Sequence, residues 1–231
     1  MKVCTDSVLL GAWCSVKAAK TALDIGTGTG LLALMLAQRN SNLKIDAVEI
    51  SAEGAAEALL NVQNSKFKDS IRIFNCSVQD FAAAAKQAGT ANKYSSTGLN
   101  YDLIVCNPPY FENSLKNSDK QSSMVRHNVS LSYTELFLCV DKLIGNKGLF
   151  SLIIPAQKAG NIIEIANSVN LYLIRKTDIM TTPNSGIKRC LLEFSKNKQQ
   201  PKLDNLTIEF SSNNYTPEYK ELTKEFYLES V

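Results

Sequence analysis

The chain has 231 residues, 45% of them hydrophobic and 20% charged, with a formal net charge of +3. That balance is ordinary for a globular chain and excludes collagenous and disordered classes, while permitting a nucleic-acid partner without arguing for one. No apolar stretch approaches a bilayer span, and the opening MKVCTDSVLLGAWCSV, broken by Asp6, Ser7 and Gly11, is a poor signal peptide, so no membrane role is expected. The six cysteines, at 4, 14, 76, 106, 139 and 190, form no CxxC pair, and His127 is the only histidine. A metal site is therefore not expected, and scattered free thiols suit a reducing cytoplasm.

In chain order, TDSVLL places Thr5 and Asp6 as polar residues ahead of an apolar helix, where they read as an N-cap. TALDI (21–25) is a strand, and DIGTGTG (24–30) turns it into the helix GLLALMLAQR (30–39). Gly26, Gly28 and Gly30 give GxGxG, one residue short of the dinucleotide fingerprint. Without Cβ atoms such a loop lets backbone approach a ligand at the sheet edge. Asp24 puts an acid where a pyrophosphate would be repelled and an ammonium-bearing ligand favoured; S-adenosylmethionine fits better than a dinucleotide. As an alternative, Asp24 is a capping or buried structural acid.

LKIDAVEI (43–50) is the second strand, and Glu49 near its end stands about twenty residues past the glycine loop, where a ribose-binding carboxylate belongs. AEGAAEALLNVQN (52–64) is an amphipathic helix and IRIFNC (71–76) the third strand. In NCSVQDF (75–81), Asp80 could accept from an adenine amino group and Phe81 could flank the ring, although the same residues read equally as a helix start. VQDFAAAAKQA (78–88) is a helix, GTANKYSSTGLN (89–100) a surface insertion, and YDLIVC (101–106) a strand that stops on Asn107-Pro108-Pro109-Tyr110. Prolines cannot continue a ladder, so the chain must turn there. Residues 112–130 form a long polar loop, expected to be functional and to gain order with substrate.

YTELFLCVDKLI (133–144) is a helix, GLFSLIIP (148–155) a strand, and AGNIIEIANSV (159–169) a helix. LYLIRKTDIM and KRCLLEFSK then flank the six-residue turn TTPNSG, too short for a helical crossover, so this pair is antiparallel. Residues 186–202 carry Lys188, Arg189, Lys196, Lys198 and Lys202 against Glu193 alone. The segment is an RNA-contact candidate, with Lys188 and Arg189 assigned that role; a solvated, aggregation-resistant strand edge is the alternative.

Strands alternating with helices, closed by an antiparallel hairpin, resemble the class I methyltransferases. The expected fold is Rossmann-like α/β, a seven-stranded mostly parallel sheet with one antiparallel strand and helices on both faces. DIGTGTG, VEI, QDF and NPPY together resemble the S-adenosylmethionine-dependent methyltransferases of exocyclic or amide nitrogens, over roughly residues 20–155. MKVCTDSVLLGAW and YTPEYKELTKEFYL are similar to the ends of the bacterial tRNA1(Val) adenine-37 N6-methyltransferases. That resemblance implies one domain over 1–231, with 1–20 covering the cofactor and 200–231 a C-terminal extension. It also implies a tRNA substrate, with a monomer as the expected state, and a basic piece ahead of MKV; Cys4 stands where the family has glycine.

The same resemblance implies that Thr5 and Asn107 touch the cofactor. It further implies that Asn107 and the Pro108 carbonyl accept hydrogen bonds from the target amino group while Tyr110 stacks on the base. His127 is not expected to act as a base. A protein-glutamine methyltransferase of the release-factor type presents the same planar NH2 problem. Such enzymes carry an N-terminal helical domain for which about twenty residues before the first strand leave no room. A non-catalytic binding subunit is the third reading, opposed by the intact motifs.

Overall fold

Along Tyr101–Cys106, Leu103 and Val105 enter one hydrophobic core while Ile104 and Cys106 enter another. A strand buried on both faces requires cover on both. The computed structural model describes residues 4–86, 100–108 and 131–227. Pro109, Tyr110, His127, the 112–130 loop and all but the last residue of the 89–100 insertion lie outside them.

The elements are α1 (Thr5–Trp13), β1 (Thr21–Ile25), α2 (Leu31–Arg39), β2 (Lys44–Glu49), α3 (Ala52–Gln63), β3 (Ile71–Asn75), α4 (Val78–Lys86) and β4 (Tyr101–Cys106). They continue with α5 (Tyr133–Leu143), β5 (Ile144–Pro155), α6 (Ala159–Ser168), β6 (Tyr172–Met180), β7 (Ile187–Ser195), β8 (Lys202–Thr207), β9 (Glu209–Ser211), β10 (Asn214–Tyr215) and α7 (Pro217–Thr223). The main sheet runs β3-β2-β1-β4-β5-β7-β6-β8, and β9 and β10 pair separately. Helices α4, α5 and α6 pack on one face around Phe81, Phe137 and Ile162; α1, α2 and α7 cover the other through Leu9, Leu36 and Tyr219.

The seven expected strands are present and only β7 runs against its neighbours. An eighth, β8, is added parallel to β6, so the expected count rises by one. Its sequence KLDNLT is mostly polar, and only Leu206 is buried, at 7% exposure. An edge strand with one anchoring side chain has no apolar alternation to announce it. Strand β5 also begins four residues earlier than expected, directly after α5. A Cβ at Gly148 would lie 2.5 Å from the Tyr101 carbonyl oxygen, so only glycine lets the two strands meet there.

Helix α1 is fastened to the sheet by polar contacts at both ends. The Trp13 indole N–H donates to Thr177 Oγ1 at 2.8 Å, and the Arg175 guanidinium lies 4.1 Å from the Trp13 ring centroid. Just beyond the helix, the Ser15 hydroxyl and N–H donate to Glu193 at 2.9 and 3.2 Å, and Ser151 adds a third donor at 2.8 Å. Glu193 is 2% exposed, and these donors are what make a buried carboxylate tolerable. At the other end Arg189 Nε donates to Asp6 at 3.0 Å.

Candidate functional site

Strands β1 and β4 are parallel neighbours, and the helices next in the chain, α2 and α5, lie on opposite faces, which opens a crevice between the strands' C-terminal ends. Ile25 pairs with Cys106 and with Val48, so the glycine loop, Glu49 and Asn107 leave adjacent strands at one level. Gly26, Gly28 and Gly30 all have positive φ, +71°, +57° and +83°. L side chains adopt that region only under strain. A Cβ at Gly26 would meet nothing within 4 Å, so the loop presents bare backbone to open space.

Glu49 spans the loop. Its Oε2 accepts the Gly28 N–H at 2.9 Å and its Oε1 the Ser51 N–H at 2.8 Å, just before α3. Asp24 lies beneath, 1% exposed, with Oδ2 accepting from the Thr27 hydroxyl at 2.6 Å. Burial pushes its carboxyl up to about 7; hydrogen bonds from the Thr27 hydroxyl and the Ala33 backbone oppose the rise, and the charge of Glu49 adds to it. Asp24 thus underlies the glycine loop as a buried acid.

Beyond β3, Ser77 and Asp80 bond reciprocally: the Ser77 hydroxyl donates to Asp80 at 2.7 Å and accepts the Asp80 N–H at 3.0 Å. Asp80 is exposed in the first turn of α4, which follows the C-terminal end of β3. Phe81 is corrected. Its side chain is 1% exposed and packs on Phe74 with centroids 5.4 Å apart, so it is core rather than a face for a ligand ring. The helical period sends Val78, Phe81 and Ala82 to the sheet together. The apolar surface at this end is Ile50 instead, 65% exposed directly after Glu49. In the sequence it is simply the last residue of the strand run LKIDAVEI.

Asn107 is half-buried at the end of β4, and its Nδ2 donates to Ser7 Oγ on α1 at 2.9 Å. Its Oδ1 has no partner among the described residues. Pro108 is buried beside it. Thr5 is exposed on the first turn of α1, where with Asp6 it lines a cavity of about 620 Å3 that also reaches Lys188, Arg189, Tyr215 and Tyr219. Arg189 is engaged within the protein: its guanidinium is bonded to Asp6 and to the Lys188 carbonyl, which fastens α1 to β7. Lys188 is exposed on the rim. The basic segment 186–202 is divided, because β7 is extended. Arg189 pairs with Pro155 at the crevice edge, whereas Lys196 bonds to Asp141 and Lys202 to Asp204 beyond the opposite end of the strand. All six cysteines are free, and no group of metal-ligating side chains occurs among the described residues.

Residues 4–132 match the family described as Methyltransferase small domain. A protein of Trichodesmium erythraeum named tRNA1(Val) (adenine(37)-N6)-methyltransferase is 42% identical over 90% of this chain and 83% of its own length. One of the same name from Flavobacterium psychrophilum is 40% identical over 90% of this chain and 84% of its own. Among solved structures, a predicted O-methyltransferase of Agrobacterium tumefaciens superposes with a TM-score of 0.71 at 21% identity, covering 98% of this chain and all of that one. A SAM-dependent methyltransferase of Aquifex aeolicus gives 0.53 at 13% identity, over 78% of this chain and 84% of that one. These structures share the Rossmann-like fold with the chain.

Proposed function

The chain belongs to the methyltransferase small-domain family, and from that membership we propose that it moves a methyl group from S-adenosylmethionine to the exocyclic N6 of adenine in tRNA, at adenine-37 of tRNA1(Val) as its relatives are named. The observation that carries the chemistry is the row formed by the glycine loop, Glu49 and Asn107 at one sheet edge, with the acceptor oxygen of Asn107 free among the described residues. The relatives favour this reading over protein glutamine. All 231 residues are read as one catalytic domain acting in the cytoplasm.

The cofactor supplies a methyl group on a positively charged sulfur. The crevice fits such a molecule: bare backbone at Gly26, a carboxylate at Glu49 for ribose hydroxyls, Asp80 for the adenine amino group and Ile50 for an adenine face. Thr5, on the first turn of α1, would close over the amino acid end. An adenine N6 lone pair is delocalised into its ring and is a weak nucleophile. Asn107 Oδ1 and the Pro108 carbonyl would accept its two N–H bonds and favour a pyramidal nitrogen, as preorganised acceptors do. Tyr110 is assigned to stack on the extruded base, a contact worth roughly 1–3 kcal/mol. The surplus proton leaves to water after transfer, so the step as proposed needs neither a strong base nor a metal.

The test is incubation of the purified protein with total tRNA and methyl-labelled cofactor, followed by mass spectrometry of the nucleosides. Label in N6-methyladenosine is expected. No label in N6-methyladenosine, with label taken up instead by a bacterial release factor incubated in parallel, would reject the nucleic-acid substrate.

A further inference from the structure

We propose that Ser7 is a positioning residue for this transfer: its hydroxyl oxygen holds the N–H end of the Asn107 amide and so aims Oδ1 at the target amino group. The proposal rests on the reading of Asn107 as an acceptor for that group.

A primary amide has two ends of nearly equal shape and opposite hydrogen-bonding character. Only the oxygen end can accept from an adenine amino group; rotated by half a turn, the same side chain would present donors to donors. Something must therefore break the symmetry. Ser7 Oγ lies 2.9 Å from Asn107 Nδ2 and accepts from it; a hydroxyl can also donate, so this orientation is selected when the Ser7 proton points away from the amide, the arrangement that leaves Oδ1 facing a substrate amino group. Oδ1 keeps no other partner among the described residues, as an acceptor awaiting substrate requires.

Ser7 can do this only if it is itself fixed relative to β4, and it is. The preceding residue, Asp6, is bonded to Arg189 at 3.0 Å, and Arg189 pairs in register with Pro155 of β5, the strand next to β4. The far end of α1 is held by Trp13 on Thr177 and Ser15 on Glu193. The contacts close a ring from Asn107 through α1, β7 and β5 back to β4. Holding a functional amide by a partner on a rigid element is how a reactive geometry is kept productive.

The experiment is steady-state kinetics with tRNA, alongside calorimetry with S-adenosylhomocysteine. Ser7→Ala should lower kcat about fivefold to tenfold, as loss of one orienting hydrogen bond implies, with S-adenosylhomocysteine affinity changed less than about twofold. Ser7→Thr, which keeps the acceptor, should recover most of the rate. In an Asn107→Asp background both ends of the side chain accept, so orientation no longer matters and Ser7→Ala should cost less than about twofold. Equal cost in both backgrounds, no cost beside Asn107, or a loss seen in cofactor affinity instead of kcat would overturn the proposal. Should Asn107→Asp be inactive, failure of Ser7→Thr to recover rate overturns it alone. Full turnover by Asn107→Ala would instead reject the reading of Asn107.

Discussion

Glu49 and Gly28 are joined across the mouth of the sheet: the Glu49 Oε2 accepts the Gly28 N–H at 2.9 Å while Oε1 accepts from Ser51. One side chain thus ties the end of β2 to the glycine loop and to the start of α3. Three glycines with positive φ in a five-residue loop adopt it without strain but have many other conformations open to them, and the carboxylate supplies a local bond that holds the loop in this one. Glu49→Ala should remove both a ribose contact and this tie. S-adenosylhomocysteine binding measured by calorimetry should weaken at least about tenfold, the loss of roughly 1.4 kcal/mol or more expected for a hydrogen bond to a charged group. Unchanged affinity would remove Glu49 from the cofactor site.

Asn107→Ala should act on the chemical step. Removing one preorganised acceptor costs on the order of a hundredfold to a thousandfold in kcat, while cofactor affinity should stay within a few-fold. A large rise in the cofactor dissociation constant with normal turnover at saturation would mean the amide serves the cofactor instead of the base.

The parallel half of the sheet and its motifs were legible because each is written locally. β-branched and leucine-rich runs mark strands buried on both faces, glycines mark the loop, and Pro-Pro marks where β4 must stop. What was not legible depends on tertiary partners. Glu193 reads as a lone acid in a basic stretch, yet it is buried among Ser15 and Ser151, residues 178 and 42 positions away. Ser7 looks like one more polar residue at a helix start until the fold brings Asn107 to it. Phe81 follows a plausible ligand acid in sequence, but the helical period turns its ring to the core. Arg189 and Lys188 alternate along β7, so one is drawn to Asp6 while the other meets solvent.

Asp24 gives the protein a pH dependence with a definite sign. An unfolded aspartate ionises near about pH 4, whereas the buried carboxyl in the folded chain titrates at about 7. The folded state therefore holds the extra proton between those values. This contribution to stability is complete below about pH 4 and is lost as pH rises through 7. Asp24→Asn keeps a neutral side chain at every pH, so its melting temperature should fall less than that of the wild type between about pH 5 and pH 8. A cationic cofactor favours the ionised carboxylate, so its affinity for the wild type should rise over the same interval and that of the variant should stay flat. Parallel melting curves for the two proteins would show that Asp24 is ionised in the folded chain throughout.

The divided basic segment makes a prediction about where tRNA lies. Lys188 is exposed at the crevice edge, beside the 620 Å3 cavity and one residue from the contact that holds α1. Seven residues further along β7, about 23 Å away at strand rise, Ser195 ends the strand. Past it, Lys198 sits 5.6 Å from the Tyr172 ring centroid, on the edge opposite Asn107. A tRNA that delivers an adenine to Asn107 should reach the first lysine and not the second. Lys188→Glu should therefore raise KM for tRNA several-fold and reduce the slope of log affinity against log salt by about one, the effect of losing a single phosphate contact. Lys198→Glu should change neither beyond about twofold, and S-adenosylhomocysteine affinity should be untouched by both. Arg189 is unsuitable for this comparison, because reversing its charge would unseat Asp6 and α1 with it. Initial rates for the two lysine variants across a salt series decide the matter: an effect at Lys198 with none at Lys188 would put the RNA on the far edge of the sheet and leave only the catalytic crevice as proposed.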